Sequence, residues 1–75
     1  MNKARRHKIY EGKALLKSVE KIFMDVMNEE ENCFDNLTEG LQQTQRGMQM
    51  EENVDTLSEI IDKIDEIIDL IDDIE

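Results

Sequence analysis

Apolar positions along this chain fall into two helical stripes separated by a polar, glycine-containing stretch. In the first, Ile9, Leu15, Leu16, Val19, Ile22, Phe23, Val26 and Met27 recur mostly at steps of three and four, and the doublets Leu15/Leu16 and Ile22/Phe23 lie seven apart. Such spacing returns side chains to one side of a helix, so it predicts a broad amphipathic stripe. The stripe weakens at Glu29-Glu30-Glu31 and resumes at Cys33 and Phe34. A first helix is therefore predicted over residues 3–35, with Gly12 as a soft spot inside it.

The second stripe is cleaner. Val54, Leu57, Ile61, Ile64, Ile68 and Ile71 alternate steps of three and four, the a/d pattern of a heptad with Val54 at a. Ile60, Ile67 and Ile74 repeat every seven residues beside it, and Leu70 widens the same side. Three to four apolar positions per heptad is wider than a two-stranded seam requires and suits a helical bundle. This helix is predicted over residues 45–74. The connection, residues 36–44 within "DNLTEGLQQTQRG", offers Thr38 and Thr44 as N-caps. Leu37 and Leu41 are expected to tuck it onto the end of the hairpin, with a short helical turn after Thr38.

The fold class is thus all-α: one domain, a long antiparallel helical hairpin. Seventy-five residues sit at the lower edge of what one core holds together, and Cys33 is a single cysteine with no disulfide partner. Association supplies the missing burial. A homodimer or larger assembly, forming a four-helix bundle or coiled-coil assembly, or else a hairpin completed by a partner, is expected, with self-association through Leu15, Val19, Ile22, Phe23, Ile60, Ile61, Ile64, Ile67, Ile68 and Ile71.

Charge divides along the chain. Residues 1–21 carry a net +5, residues 22–50 a net −5 and residues 51–75 a net −10. The first helix begins with Lys3, Arg5, Arg6 and Lys8 at its positive end, and the second finishes with Asp69, Asp72, Asp73 and Glu75 at its negative end. Each placement opposes the helix dipole. An antiparallel hairpin sets these ends side by side, so the two misplacements offset one another.

In the second helix Asp55, Asp62 and Asp69 fall at b, Glu59, Glu66 and Asp73 at f, and Asp65 and Asp72 at e, one face opposite the isoleucines. Solubility is ordinarily met by mixed signs, yet Lys63 is the only cation here. Twenty-five helical residues span roughly 37 Å, which gives about one net charge per 3.7 Å. One strand of a nucleic-acid duplex carries about one per 3.4 Å. The face therefore has the charge density of a phosphate strand, and Asp62, Asp65, Glu66, Asp69, Asp72 and Asp73 are its candidate partner-binding residues. The competing account is a solvated back that keeps an isoleucine helix in solution.

Catalytic chemistry finds no purchase. The chain has no calcium-binding loop, no Glu-x-x-His di-iron motif and no phosphate loop. His7, in Arg6-His7-Lys8, reads as exposed, and Cys33 as a buried thiol at the helix end without a catalytic neighbour. No enzyme activity, no metal and no cofactor are expected. Apolar runs fall short of the roughly 20 residues of a membrane span, and no secretory leader is apparent. No membrane association and a cytoplasmic location are expected.

The stretch "EEENCFDNLTEGLQQTQRGMQMEENVDTLSEIID" resembles a family of small acidic helical proteins of phages and prophages in Firmicutes. The matching positions are Phe34 to Leu37, Leu41-Gln42, Arg46-Gly47 and Met50 to Glu52. Relatives often carry proline where Thr38 stands here. The resemblance implies a mobile element in a bacterial host and no general activity. In that setting small acidic proteins often occupy a host protein's nucleic-acid site, as anti-CRISPR proteins and nucleic-acid mimics do. The leading expectation is an inhibitor of a basic, nucleic-acid-binding host defence protein acting through the acidic face, without binding nucleic acid itself. Next stands an assembly bundle whose acids only solvate it. Third is a phage sponge-type protein sequestering a nucleotide, for which the cations at hand are the N-terminal cluster and Arg46.

Overall fold

The computed structural model describes all 75 residues as an all-α hairpin. Helix α1 runs Lys3–Asp35, α2 is a single turn Glu39–Gln42, and α3 runs Gln45–Asp72. Each helix opens on a side-chain cap. The Asn2 carboxamide oxygen accepts from the Arg5 N–H at 2.8 Å. The Thr38 and Thr44 hydroxyls accept from the N–H groups of Leu41 and Gly47. These caps satisfy donors that helix geometry leaves free. Helix α3 stops two residues short of the 74 that periodicity predicts. The N–H groups of Asp73 and Ile74 reach back only three residues, to Leu70 and Ile71, and tighten the last turn.

Against α3, α1 shields Ile9, Lys13, Leu16, Glu20, Phe23, Met27, Glu30 and Phe34, an unbroken alternation of four and three that continues to Leu37. The facing set on α3 is Gly47, Met50, Val54, Leu57, Ile61, Ile64, Ile68 and Ile71. Only Ile61, Ile64 and Ile68 are buried apolar side chains, each still 8–9% exposed. The broad stripe read in α1 is therefore two stripes. Ile9, Leu16, Phe23 and Met27 enter the seam, while Leu15, Val19, Ile22 and Val26 remain outside it.

The corner is built by two contacts. Gln42 turns its carboxamide back onto the end of α1, donating to the carbonyls of Phe34 at 3.1 Å and Leu37 at 3.3 Å. The Phe34 carbonyl, which already accepts from the Leu37 N–H, gains a second donor, and the Leu37 carbonyl just past the helix terminus gains one. Gly47, buried in the first turn of α3, lets the α2 backbone close in: a Cβ there would stand 2.6 Å from the Leu41 carbonyl oxygen and 2.5 Å from that of Gln42. Leu37 is half-buried as expected of the tucked loop, but Leu41 is 51% exposed, because Gln42 and Gly47 seat the turn instead. The resulting rod measures 59 × 15 × 12 Å. Its shortest dimension is one helix diameter.

Candidate interaction surfaces

The seam fixes heptad letters for both helices. With Val54 at a on α3, the α1 seam places Lys13, Glu20, Met27 and Phe34 at a, and Ile9, Leu16, Phe23 and Glu30 at d. In an antiparallel pair the two g positions fall on one side of the seam and the two e positions on the other. Two cross-helix pairs identify the e side. Lys13 forms an ion pair with Asp72, and the Asp65 carboxyl reaches Glu20. Both acids occupy e of α3. Seven residues along α1 correspond to seven back along α3, so one register explains both pairs.

The e side is charged. Asp62, Asp65, Glu66, Asp69, Asp72 and Asp73 are all exposed, on positions e, b and f of α3. Two of the six have an ion-pair partner: Asp72 with Lys13, and Glu66 with Lys63 at 3.9 Å. The hairpin thus brings the six predicted binding acids onto one continuous outer face.

Lys3, Arg5, Arg6 and Lys8, predicted to offset the acids at the end of α3, form no ion pair. The register sets Lys13 level with Asp72, so the start of α1 lies at or beyond the end of α3. Arg6 lies beside Ile71 and Ile74 at that end, and the ion pair across it is that of Lys13 with Asp72.

Glu20 sits at an a position, inside the seam. Its Oε2 is closed off from solvent and has no hydrogen-bond donor. Two ionised carboxylates offer only acceptors and repel one another, so the approach of Asp65 favours the protonated form of Glu20. Glu20 is accordingly held above its ordinary 4.5, first by a hydrogen bond with Asp65, then by desolvation, then by the Asp65 charge, with Lys17 pulling it back. Nothing in the sequence marks this pair, because Glu20 breaks the seam alternation between Leu16 and Phe23, and the apolar stripe is followed through Val19 and Ile22 instead.

The g side is apolar. Leu15, Val19, Ile22 and Val26 at c and g of α1 are 39–69% exposed. Ile67, Leu70 and Ile74, at the same letters of α3, are 44–67% exposed, and Ile60 beside them is half-buried. Of the ten predicted self-association residues, Phe23, Ile61, Ile64, Ile68 and Ile71 are used within the hairpin's own seam. Leu15, Val19, Ile22 and Ile67 face outward, with Ile60 between the two sets.

Cys33 is exposed at a g position rather than buried as expected, since the seam passes through Phe34. No three of the His, Cys, Asp and Glu side chains converge into a group suited to a metal ion. No helix is long and apolar enough to cross a membrane. No family model, no curated protein and no solved structure matches this chain.

Proposed function

We propose that the protein is a non-catalytic interaction module whose α3 acids engage a basic partner protein. In the phage or prophage setting that its resemblance implies, that partner is a nucleic-acid-binding host defence protein, inhibited in the manner of an anti-CRISPR or nucleic-acid mimic. One observation carries the reading. Folding the hairpin leaves all six acids exposed on one face, with only Asp72 and Glu66 in ion pairs. A face needed only for solubility gains nothing from excluding cations, whereas a face that meets a basic groove does.

The exposed apolar flank favours a second reading, a bundle-forming assembly protein whose acids merely solvate it. The two separate on capture from a bacterial host lysate by the native chain and by a variant with Asp62, Asp65, Asp69 and Asp72 changed to Asn. The acidic-face reading expects one basic protein retained by the native chain alone. It also expects that binding to fall steeply as salt rises from about 50 mM to about 500 mM, where the screening length shrinks several-fold relative to dilute salt. Equal capture by both chains, or binding indifferent to salt, assigns the acids to solvation.

A further inference from the structure

The molecule is one layer thick, and one of its sides is unfinished. A chain of 8.8 kDa exposes 6003 Å². Compact proteins of that mass expose about 4,800 Å². The radius of gyration is 17.3 Å, against about 11 Å for a compact domain of this length. Domains close their cores between at least two layers. The excess of about 1,200 Å² exceeds the roughly 800 Å² that each partner of a stable protein pair buries.

The excess is apolar where the heptads say it should be. On α1 the apolar arc runs through c, g, d and a. On α3 it runs through g, d and a, with Leu70 the one apolar residue at c beside Thr56 and Lys63, and the hairpin seam consumes only d and a. The register set by Lys13 and Asp72 makes the remaining g positions level in pairs: Gly12 with Ile74, Val19 with Ile67, and Val26 with Ile60. Arcs that turn away from the seam toward one common side are what each helix of a four-helix bundle needs, since it contacts two neighbours.

We propose that this flank seats a second copy of the chain, two hairpins stacking face to face as a four-helix bundle with a two-fold axis along the rod. The charge distribution selects that axis. It lays each α1, whose first part belongs to the net +5 segment, over the partner's α3, which carries most of the net −10 segment. A two-fold axis across the rod instead lays α3 on α3, acid against acid. In the chosen arrangement Leu15, Val19, Ile22 and Val26 of α1 and Ile60, Ile67, Leu70 and Ile74 of α3 close a second seam, Lys63 stays at its rim, and the acidic e, b and f positions stay outside. The inference is independent of what those acids bind.

Sedimentation equilibrium across the micromolar range gives the mass, and the single native Cys33 gives the geometry. Twice 8.8 kDa is expected. A nitroxide attached to Cys33, beyond the end of the apolar stripe, reports the distance between the two α1 helices. Diagonal helices of such a bundle are about 11–14 Å apart at their axes, so labels about 15–25 Å apart are expected. An axis across the rod through the stripe centre separates them by about 35–40 Å at 1.5 Å per residue. A double variant, Ile22→Glu with Ile67→Glu, touches only outward positions and is expected to lower the mass to one chain. A native chain that stays at one mass, any assembly larger than two, or labels at the longer distance overturns the proposal. The first of these outcomes assigns the flank to a different protein.

Discussion

Along α3 every seam position from Met50 to Ile71 is apolar, whereas α1 interrupts the same alternation with Lys13, Glu20 and Glu30. The two helices share one interface and divide its tasks. The isoleucines of α3 supply the three apolar side chains that are buried, while the apolar seam residues of α1 are half-buried. The charges of α1 supply registration. A one-heptad slip would exchange Asp72 for Asp65, also an acid at e, as the partner of Lys13, so these charges hold the register together with the corner, where Gln42 ties α2 to the end of α1. Polar groups in a seam are best known for this use, specifying alignment at some cost in stability.

The sharpest way to break that division is to truncate one seam residue on each side. Ile64→Ala removes three side-chain carbons from the most enclosed part of the rod and is expected to cost about 2–5 kcal/mol, toward the lower end because the site remains 8% exposed. Lys13→Ala removes a partly exposed ion pair and is expected to cost no more than about 1 kcal/mol. Urea titrations followed by helical circular dichroism compare them. Equal losses would mean that α1 contributes energy as well as register.

The difference between the helices is also why one was legible and the other was not. In α3 the seam and its flank separate in the sequence itself, because Ile60, Ile67 and Ile74 stand beside a pure alternation of three and four. In α1 the seam positions 13, 20 and 30 are charged, so the eye follows Leu15, Val19 and Ile22 instead and merges two stripes into one. The hairpin, its helix limits apart from the last two residues of α3, and the threonine caps follow from periodicity and local chemistry alone. The corner does not. Gln42 reaching back to Phe34 and Leu37, and Gly47 admitting a neighbouring backbone, are tertiary facts with no local signature. They fall on Leu41-Gln42 and Arg46-Gly47, stretches that also carry the resemblance.

Two glycines sharpen the contrast further. At Gly47 a methyl group meets the Leu41 and Gln42 carbonyls at 2.5–2.6 Å, so Gly47→Ala must push α2 away from α3. Overpacking of that kind costs about 1–3 kcal/mol. At Gly12 a Cβ meets nothing within 4 Å, and the position lies mid-helix. Gly12→Ala is expected to stabilise by about 0.5–1 kcal/mol through helix propensity. The same chemical change therefore has opposite signs in α1 and α3. A shift of both melting temperatures in one direction would show that the corner is looser than its contacts imply.

The smallest effect concerns the charge that α1 places in the seam. Glu20 faces Asp65 from α3 and Lys17 on its own helix, and its proton is held more tightly in the folded chain than in the unfolded one. A carboxyl raised in this way favours folding at low pH. Its contribution is fully present below the ordinary 4.5 and is lost as pH rises through the raised value. Acidification over that window should therefore raise the urea midpoint of the native chain. Glu20→Gln supplies a permanent N–H donor to Asp65 and needs no added proton. That variant is expected to match or exceed the native chain at neutral pH and to show a flatter dependence as pH falls toward the ordinary 4.5, with the other acids contributing the same background to both. Parallel pH profiles for the two chains would place Glu20 in water rather than in the seam, and would leave Lys13 as the only charge that sets the register.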